Sequence, residues 1–244
     1  MRNVKITIQY DGTDYHGWQI QAGGRTIQGE ITRAVSLLDR RQVTVHGAGR
    51  TDAGVHAEGQ VASFFMERDF AELELRDAIN GNLDRDIRVF DVEFVEDSFN
   101  ARFSARRKTY RYQIWNAEVL SPFLRRYVYH HREPLDLEAM RRAASVLAGR
   151  HDFSAFTVAQ SEATDHARTI ERLDLSREGC IISITAVADG FLRYMMRAIA
   201  GTLIEIGRGS READEMASIL EGRDRQRAGP TASAAGLTLV RVDY

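Results

Sequence analysis

Val4, Ile6, Ile8 and Tyr10 alternate with Lys5, Thr7 and Gln9. A period of two predicts a strand with one buried face. Ile27, Ile31, Ala34, Val35 and Leu38 then recur at helical spacing. Val43 and Val45 return to alternation. After a glycine-rich loop, Val61 to Phe65 reads as a strand running into the core. Leu73 to Leu83 predicts a helix ended by Gly81 and Asn82, and Ile87 to Val95 a further strand. The order β-α-β-β-α-β is the ferredoxin-like arrangement.

The second half repeats the theme. Thr109 to Asn116 predicts a strand with Tyr110, Tyr112 and Ile114 on one face, and Tyr127 to His131 a short one. Asp136 is placed to cap a helix carrying Leu137, Met140, Ala144 and Leu147 and stopping at Gly149. Ile170 to Ser176 and Cys180 to Val187 read as a hairpin turning at Glu178 and Gly179. Phe191, Tyr194, Met195, Ala198, Ile199, Thr202 and Ile206 predict a long amphipathic helix. A shorter helix over Arg211 to Leu220 and a strand over Gly236 to Val242 follow. No internal sequence repeat is visible, so duplication is inferred from element order. The expected halves are 1–104 and 105–244.

Composition narrows the class. With 244 residues, 43% hydrophobic and only 3 Pro, the chain is neither disordered nor collagenous. The single Cys180 excludes a disulfide framework and a Cys-rich zinc site. No apolar run reaches about 18 residues, because Arg193, Arg197 and Glu205 interrupt the longest. The segment MRNVKITIQY lacks the apolar core of a secretory signal. A cytoplasmic, reducing location is the expectation, with no membrane contact.

The formal net charge of -2 hides an uneven distribution. Between Glu67 and Asp97, 11 acids face 4 bases. Between Ala101 and Arg132, 8 bases face the single acid Glu118, interleaved with Tyr110, Tyr112, Trp115 and Tyr127. Such a stretch can neutralise phosphate and stack bases. A solvated strand face with its aromatics turned inward has the same pattern. Of the 33 basic residues 31 are Arg, a fork-shaped donor suited to phosphate. Codon usage in a GC-rich genome gives the same bias.

Candidate chemistry concentrates in Gly47 to Ala57, GAGRTDAGVHA. Its three glycines allow positive φ and close backbone approach. Arg50 and Asp52, two residues apart, project to one side of an extended backbone, where the guanidinium would hold the carboxylate ionised. An ionised, oriented aspartate is a nucleophile or base rather than an acid. On the residues alone, a loop aspartate bonded to local N–H groups remains the simpler account. A dinucleotide loop does not fit, since Gly54 comes too late for G-x-G-x-x-G and the next element is a strand. The P-loop and the G-x-S-x-G elbow are absent. His130–His131 and His151–Asp152 are the only suggestive metal pairs and have no ligand spacing.

The segment GRTDAGVHA resembles the active-site motif of the bacterial tRNA pseudouridine synthase A family. The resemblance covers nearly the whole chain: YDGTDYHGWQIQ (Tyr10 to Gln21), FNARFSARRKTYRYQI (Phe99 to Ile114), FLRYMMRAIAGTLIEIGRG (Phe191 to Gly209) and TASAAGLTLVRVDY (Thr231 to Tyr244) stand in the family's order. It implies isomerisation of uridine to pseudouridine at positions 38, 39 and 40 of the tRNA anticodon stem-loop, without cofactor, nucleotide or metal. It also implies a homodimer with tRNA lying across both subunits.

By position, Asp52 matches the family's catalytic aspartate. Attack on C1′, addition to C6 of uracil and removal of a sugar proton are all open to it. Arg50 would orient Asp52 and fill the gap left by the extruded base. Tyr110 matches the active-site tyrosine, and Arg197 an arginine that the family places beside the aspartate. Arg106, Arg107, Lys108 and Arg111 are the expected contacts to tRNA backbone. The architecture expected is α+β: two ferredoxin-like halves around a largely antiparallel central sheet, with the active-site cleft between them. A non-catalytic tRNA-binding or RNA-folding protein on the same scaffold is the alternative.

Overall fold

The structure, a computed structural model, describes residues 1–158 and 164–244. The fold is α+β, with mainly antiparallel strand pairing and five α-helices among the described residues. The chain divides into two compact units, residues 1–106 with 239–244, and residues 107–238.

The first unit begins with β1 (Arg2–Tyr10), α1 (Ile27–Asp39), β2 (His46–Gly47), β3 (His56–Met66), α2 (Glu72–Gly81) and β4 (Ile87–Val95). β1 lies between β4 and β3 and is antiparallel to both, with Ile6 opposite Ala62 on one side and Val92 on the other. Its alternation is realised: Val4, Ile6, Ile8 and Tyr10 are buried. Removing each such side chain from water is worth about 1.5–3 kcal/mol. Thr26 caps α1 by accepting the Gly29 N–H, and Ile27, Ile31, Ala34 and Val35 face inward.

Val43 and Val45 are buried as their alternation predicts, yet only His46 and Gly47 pair with β3. The backbone before them has other partners. Val43 N–H donates to Ser36 Oγ at 2.9 Å, and the Val45 carbonyl accepts from Gln28 Nε2 at 2.8 Å.

Where α1 ends, Asp39 joins it to the end of β3. Its side chain is fully buried. It accepts the N–H groups of Glu67 and Arg68 at 3.0 and 2.8 Å and the Arg41 Nε at 2.6 Å. Burial alone would raise the Asp39 pKa. The Arg68 and Glu67 amides and the Arg41 guanidinium outweigh that and hold it below the ordinary aspartate value. Asp39→Asn turns an NH₂ toward these donors and is expected to cost about 2–3 kcal/mol, seen as a lower urea midpoint at pH 7. Because the folded pKa is depressed, the unfolded chain takes up this proton first. The stabilisation is therefore complete above about pH 4 and fades as pH falls through the folded value. Parent and variant should converge in acid.

The second unit contains β5 (Arg107–Asn116), β6 (Tyr129–His131), α3 (Leu137–Ser145), β7 (Gly149–Asp152), β8 (Ala167–Glu178), β9 (Ile181–Ala188), α4 (Met195–Gly207) and α5 (Glu215–Gly222). Its strands run β5-β9-β8-β7, antiparallel throughout, with β6 parallel to β5. The β8–β9 hairpin turns at Gly179, and Asp136 caps α3 by accepting from Glu138 and Ala139. β7 was not expected from the sequence, because its residues Gly, Arg, His and Asp have no apolar period.

α4 is shorter than the expected helix. It starts at Met195, because Tyr194 adopts a left-handed conformation and the Arg193 carbonyl accepts the Thr157 hydroxyl instead of a helical N–H. Every α4 residue except Arg197 and Glu205 is buried. α5 also starts late, at Glu215 instead of Arg211. Arg211 is drawn to Glu205 at 2.6 Å and to the Arg227 carbonyl at 2.9 Å.

The last strand, β10 (Leu237–Asp243), carries residues 239–243 into the first unit beside β3. Gly59 lets it approach, since a Cβ there would stand 2.5 Å from the Val240 carbonyl oxygen. The Tyr244 hydroxyl donates to the Ala101 carbonyl at 2.9 Å, and the Arg106 N–H to that of Asp243 at 2.8 Å. Among the described residues, no helix is long and apolar enough to cross a membrane, and no three metal-ligating side chains cluster.

Candidate active site

In the first unit, residues 48–55 connect β2 to β3. Asp52 opens a turn closed by the Val55 N–H on the Asp52 carbonyl at 3.1 Å, with Gly54 at φ 78° in its third position. Asp52 is half-buried, and Arg50 is exposed with its Nε on Gln19 Oε1 at 3.1 Å.

The floor of this loop is the segment just after β1. The Trp18 N–H donates to the Thr51 carbonyl at 3.0 Å, and the Gly54 N–H to the Tyr15 carbonyl at 3.3 Å. The Tyr10 and Thr51 hydroxyls bond at 2.8 Å, and Gln60 Nε2 reaches the Gly49 carbonyl at 3.0 Å. Gly12 N–H donates to Nδ1 of the buried His56 at 3.2 Å. Two glycines bring backbone against backbone. A Cβ on Gly12 would stand 2.0 Å from the Val55 oxygen; one on Gly17 would stand 2.6 Å from that of Thr51 and 3.0 Å from Asp52 C. Burial pushes the Tyr10 phenol up to about 12, only partly offset by its bonds to Thr51 and Gln60. Tyr10 therefore stays protonated at neutral pH and serves as a strut, not a base.

The loop was legible as a glycine-rich connection between strands, but its floor was not. Gly12, Tyr15, Gly17 and Trp18 are separated from it by α1. Alternating glycines and aromatics directly after a strand were the available signal.

The other candidates lie in the second unit. Tyr110 is buried in the middle of β5, opposite Ala186, and meets the Phe191 ring edge-on at a centroid distance of 4.8 Å. Arg197 is half-buried in the first turn of α4. Its Nε donates to the Ala232 carbonyl at 2.7 Å, and its own carbonyl accepts the Ala232 N–H at 3.1 Å. The basic quartet is divided. Arg106 and Arg107 are exposed, while Lys108 and Arg111 are half-buried. Strand alternation puts Lys108 on the Tyr110 face and Arg107 and Arg111 on the other. Arg107 is paired with Glu171 at 3.0 Å.

A family described as "tRNA pseudouridine synthase" matches residues 6–104 and 143–244. Proteins named tRNA pseudouridine synthase A are similar over the whole length. That of Acetivibrio thermocellus is 47% identical and covered completely, as is this chain. That of Moorella thermoacetica is 45% identical over 99% of both chains. That of a Geobacillus species is 41% identical over all of this chain and 98% of its own. The matched residues include both the loop bearing Asp52 and the segment beneath it, and over that extent of likeness the chain belongs to the tRNA pseudouridine synthase A family.

Proposed function

We propose that this chain isomerises uridine to pseudouridine at positions 38, 39 and 40 of the tRNA anticodon stem-loop, with Asp52 as the catalytic carboxylate. The isomerase activity follows from the family. The observation supporting the role of Asp52 is its place, half-buried on a loop whose backbone is fixed from beneath by Trp18, Tyr15 and Gly17. A loop backbone held this way fixes the point from which the carboxylate projects before substrate arrives.

In the reaction the C1′–N1 bond breaks, uracil rotates, and a C1′–C5 bond forms. The hydrogen leaves C5 and a proton is taken up at N1, so atoms balance without an external reagent. The target base leaves its stack to reach the carboxylate, at a cost of a few kcal/mol offset by contacts to the opened RNA. Arg50 orients Asp52 and fills the gap. Tyr110 stacks on uracil, and its hydroxyl relays the C5 proton. Arg197 is the remaining catalytic residue of this reading. The homodimer and the cytoplasmic location belong to the same reading. So does a ferredoxin-like first half, which the strand order β4-β1-β3-β2 with its two intervening helices supports.

The test incubates purified chain with unmodified tRNA and EDTA, without cofactor, and maps pseudouridine by carbodiimide treatment and primer extension. Product at 38–40 is expected. Binding without product would favour the non-catalytic scaffold, and product only elsewhere would overturn the positional assignment.

Arg106, Arg107, Lys108 and Arg111 touch the tRNA backbone in this reading. Replacing all four by Gln should weaken binding and flatten its salt dependence by about 0.7–0.9 in slope for each phosphate no longer neutralised. Unchanged affinity and slope would remove the quartet from the interface.

A further inference from the structure

The start of α4 breaks several ordinary rules at once. Tyr194, its N-cap, sits at φ 63° and ψ 0°, where side-chain-bearing residues are uncommon. No side chain caps the helix, and no acidic residue stands in its first turn. Arg197 stands there instead, against the positive end of the helix dipole. Two other non-glycine residues have positive φ among those described, Arg40 and Arg223. Both follow the C-terminus of a helix, where a left-handed residue is the common way of closing one. At a helix start that explanation is missing.

The strained backbone sets up a particular arrangement. The guanidinium carbons of Arg193 and Arg197 lie over the Tyr194 ring, 4.9 and 5.2 Å from its centroid. Arg193 Nη2 also donates to the Tyr194 hydroxyl at 3.2 Å. The negative face of the ring attracts each cation and tempers their mutual repulsion. Arg197 is thus located twice, by its Nε on the Ala232 carbonyl and by its guanidinium over the ring. A breach of the usual rules at one residue, with a cation fixed as the result, is the mark of strain kept for position.

We propose that Tyr194 is a positioning residue, whose left-handed backbone turns its ring against Arg197 and fixes that guanidinium for the reaction. The inference rests on the reading of Arg197 as part of the active site. The experiment measures kcat and KM on tRNA and the thermal midpoint for Tyr194→Gly, Tyr194→Phe, Arg197→Ala and Arg197→Lys, and for Tyr194→Gly combined with Arg197→Lys. Tyr194→Gly, free of the left-handed penalty, should melt no lower than the parent while kcat falls about tenfold or more with little change in KM. Tyr194→Phe keeps the ring and should retain most of the rate. On the Arg197→Lys background, which lacks the flat cation, Tyr194→Gly should add little.

Parental kcat in Tyr194→Gly, or a fall in stability alongside the rate, would overturn the proposal. So would an equal loss in Tyr194→Phe, or an undiminished further loss on the Arg197→Lys background. A fully active Arg197→Ala would instead bring down the reading of Arg197 on which the proposal stands.

Discussion

Asp52→Asn is expected to bind tRNA like the parent and to form no detectable pseudouridine. The carboxamide has nearly the shape of the carboxylate, so the turn closed by Val55 and its packing on Gly17 should persist. What goes is the charge and the oxygen lone pair needed for attack at carbon or for proton removal. Loss of a group that makes or breaks bonds lowers kcat by roughly 10⁴-fold or more. Asp52→Glu sharpens the result. It keeps the charge but moves it by one methylene, and a misplacement of about 1 Å is enough to lose about 10²-fold. Near-parental rate in Asp52→Glu would reduce the residue to a source of negative potential. Near-parental rate in Asp52→Asn would remove it from the chemistry. Single-turnover rates with enzyme in excess, beside filter-binding affinities, measure both.

Gly17→Ala should also slow the reaction, by less, while touching no catalytic group. At φ 83° an alanine is strained, and its Cβ would stand 2.6 Å from the Thr51 carbonyl oxygen and 3.0 Å from the carbonyl carbon of Asp52. The obstacle is backbone, so the loop itself has to move. A shift of about 1 Å at Asp52 is expected to lower kcat by about 10²-fold, with a loss of about 1–3 kcal/mol in stability. Gly23→Ala is the control. It has a similar φ of 87°, but a Cβ there meets nothing within 4 Å. It should share the strain and spare the rate. If both alanines slow catalysis equally, flexibility of the segment matters and not its packing against the loop.

These two glycines show what a sequence makes legible. β1 and β5 were readable because a period of two is local, and Asp136 because a cap acts within its own turn. Residues 43–45 have the right alternation, but the Val43 N–H donates to Ser36 and the Val45 carbonyl accepts from Gln28, which no local pattern announces. The apolar run from Phe191 reads as one helix, yet Phe191 turns aside to meet Tyr110 and Tyr194 breaks the backbone. The same limit applies to the site. The glycine-rich loop with Arg50 and Asp52 stands out in the sequence, whereas the packing of Gly12 on Val55 and of Gly17 on Thr51 joins stretches with a helix between them. Close backbone approach leaves no mark on the sequence but the missing side chain.

The route of β10 has a consequence for synthesis. Residues 239–244 finish the first unit, so β3, already flanked by β1 and by the two residues of β2, waits for β10 until the entire second unit has been translated. Until then the part of the β3 edge beyond β2 is bare, a natural binding point for chaperones and a point of vulnerability to aggregation. Ribosome-associated holding factors should therefore dwell on this polypeptide to its final residues, where a simple pair of tandem domains would have released them midway.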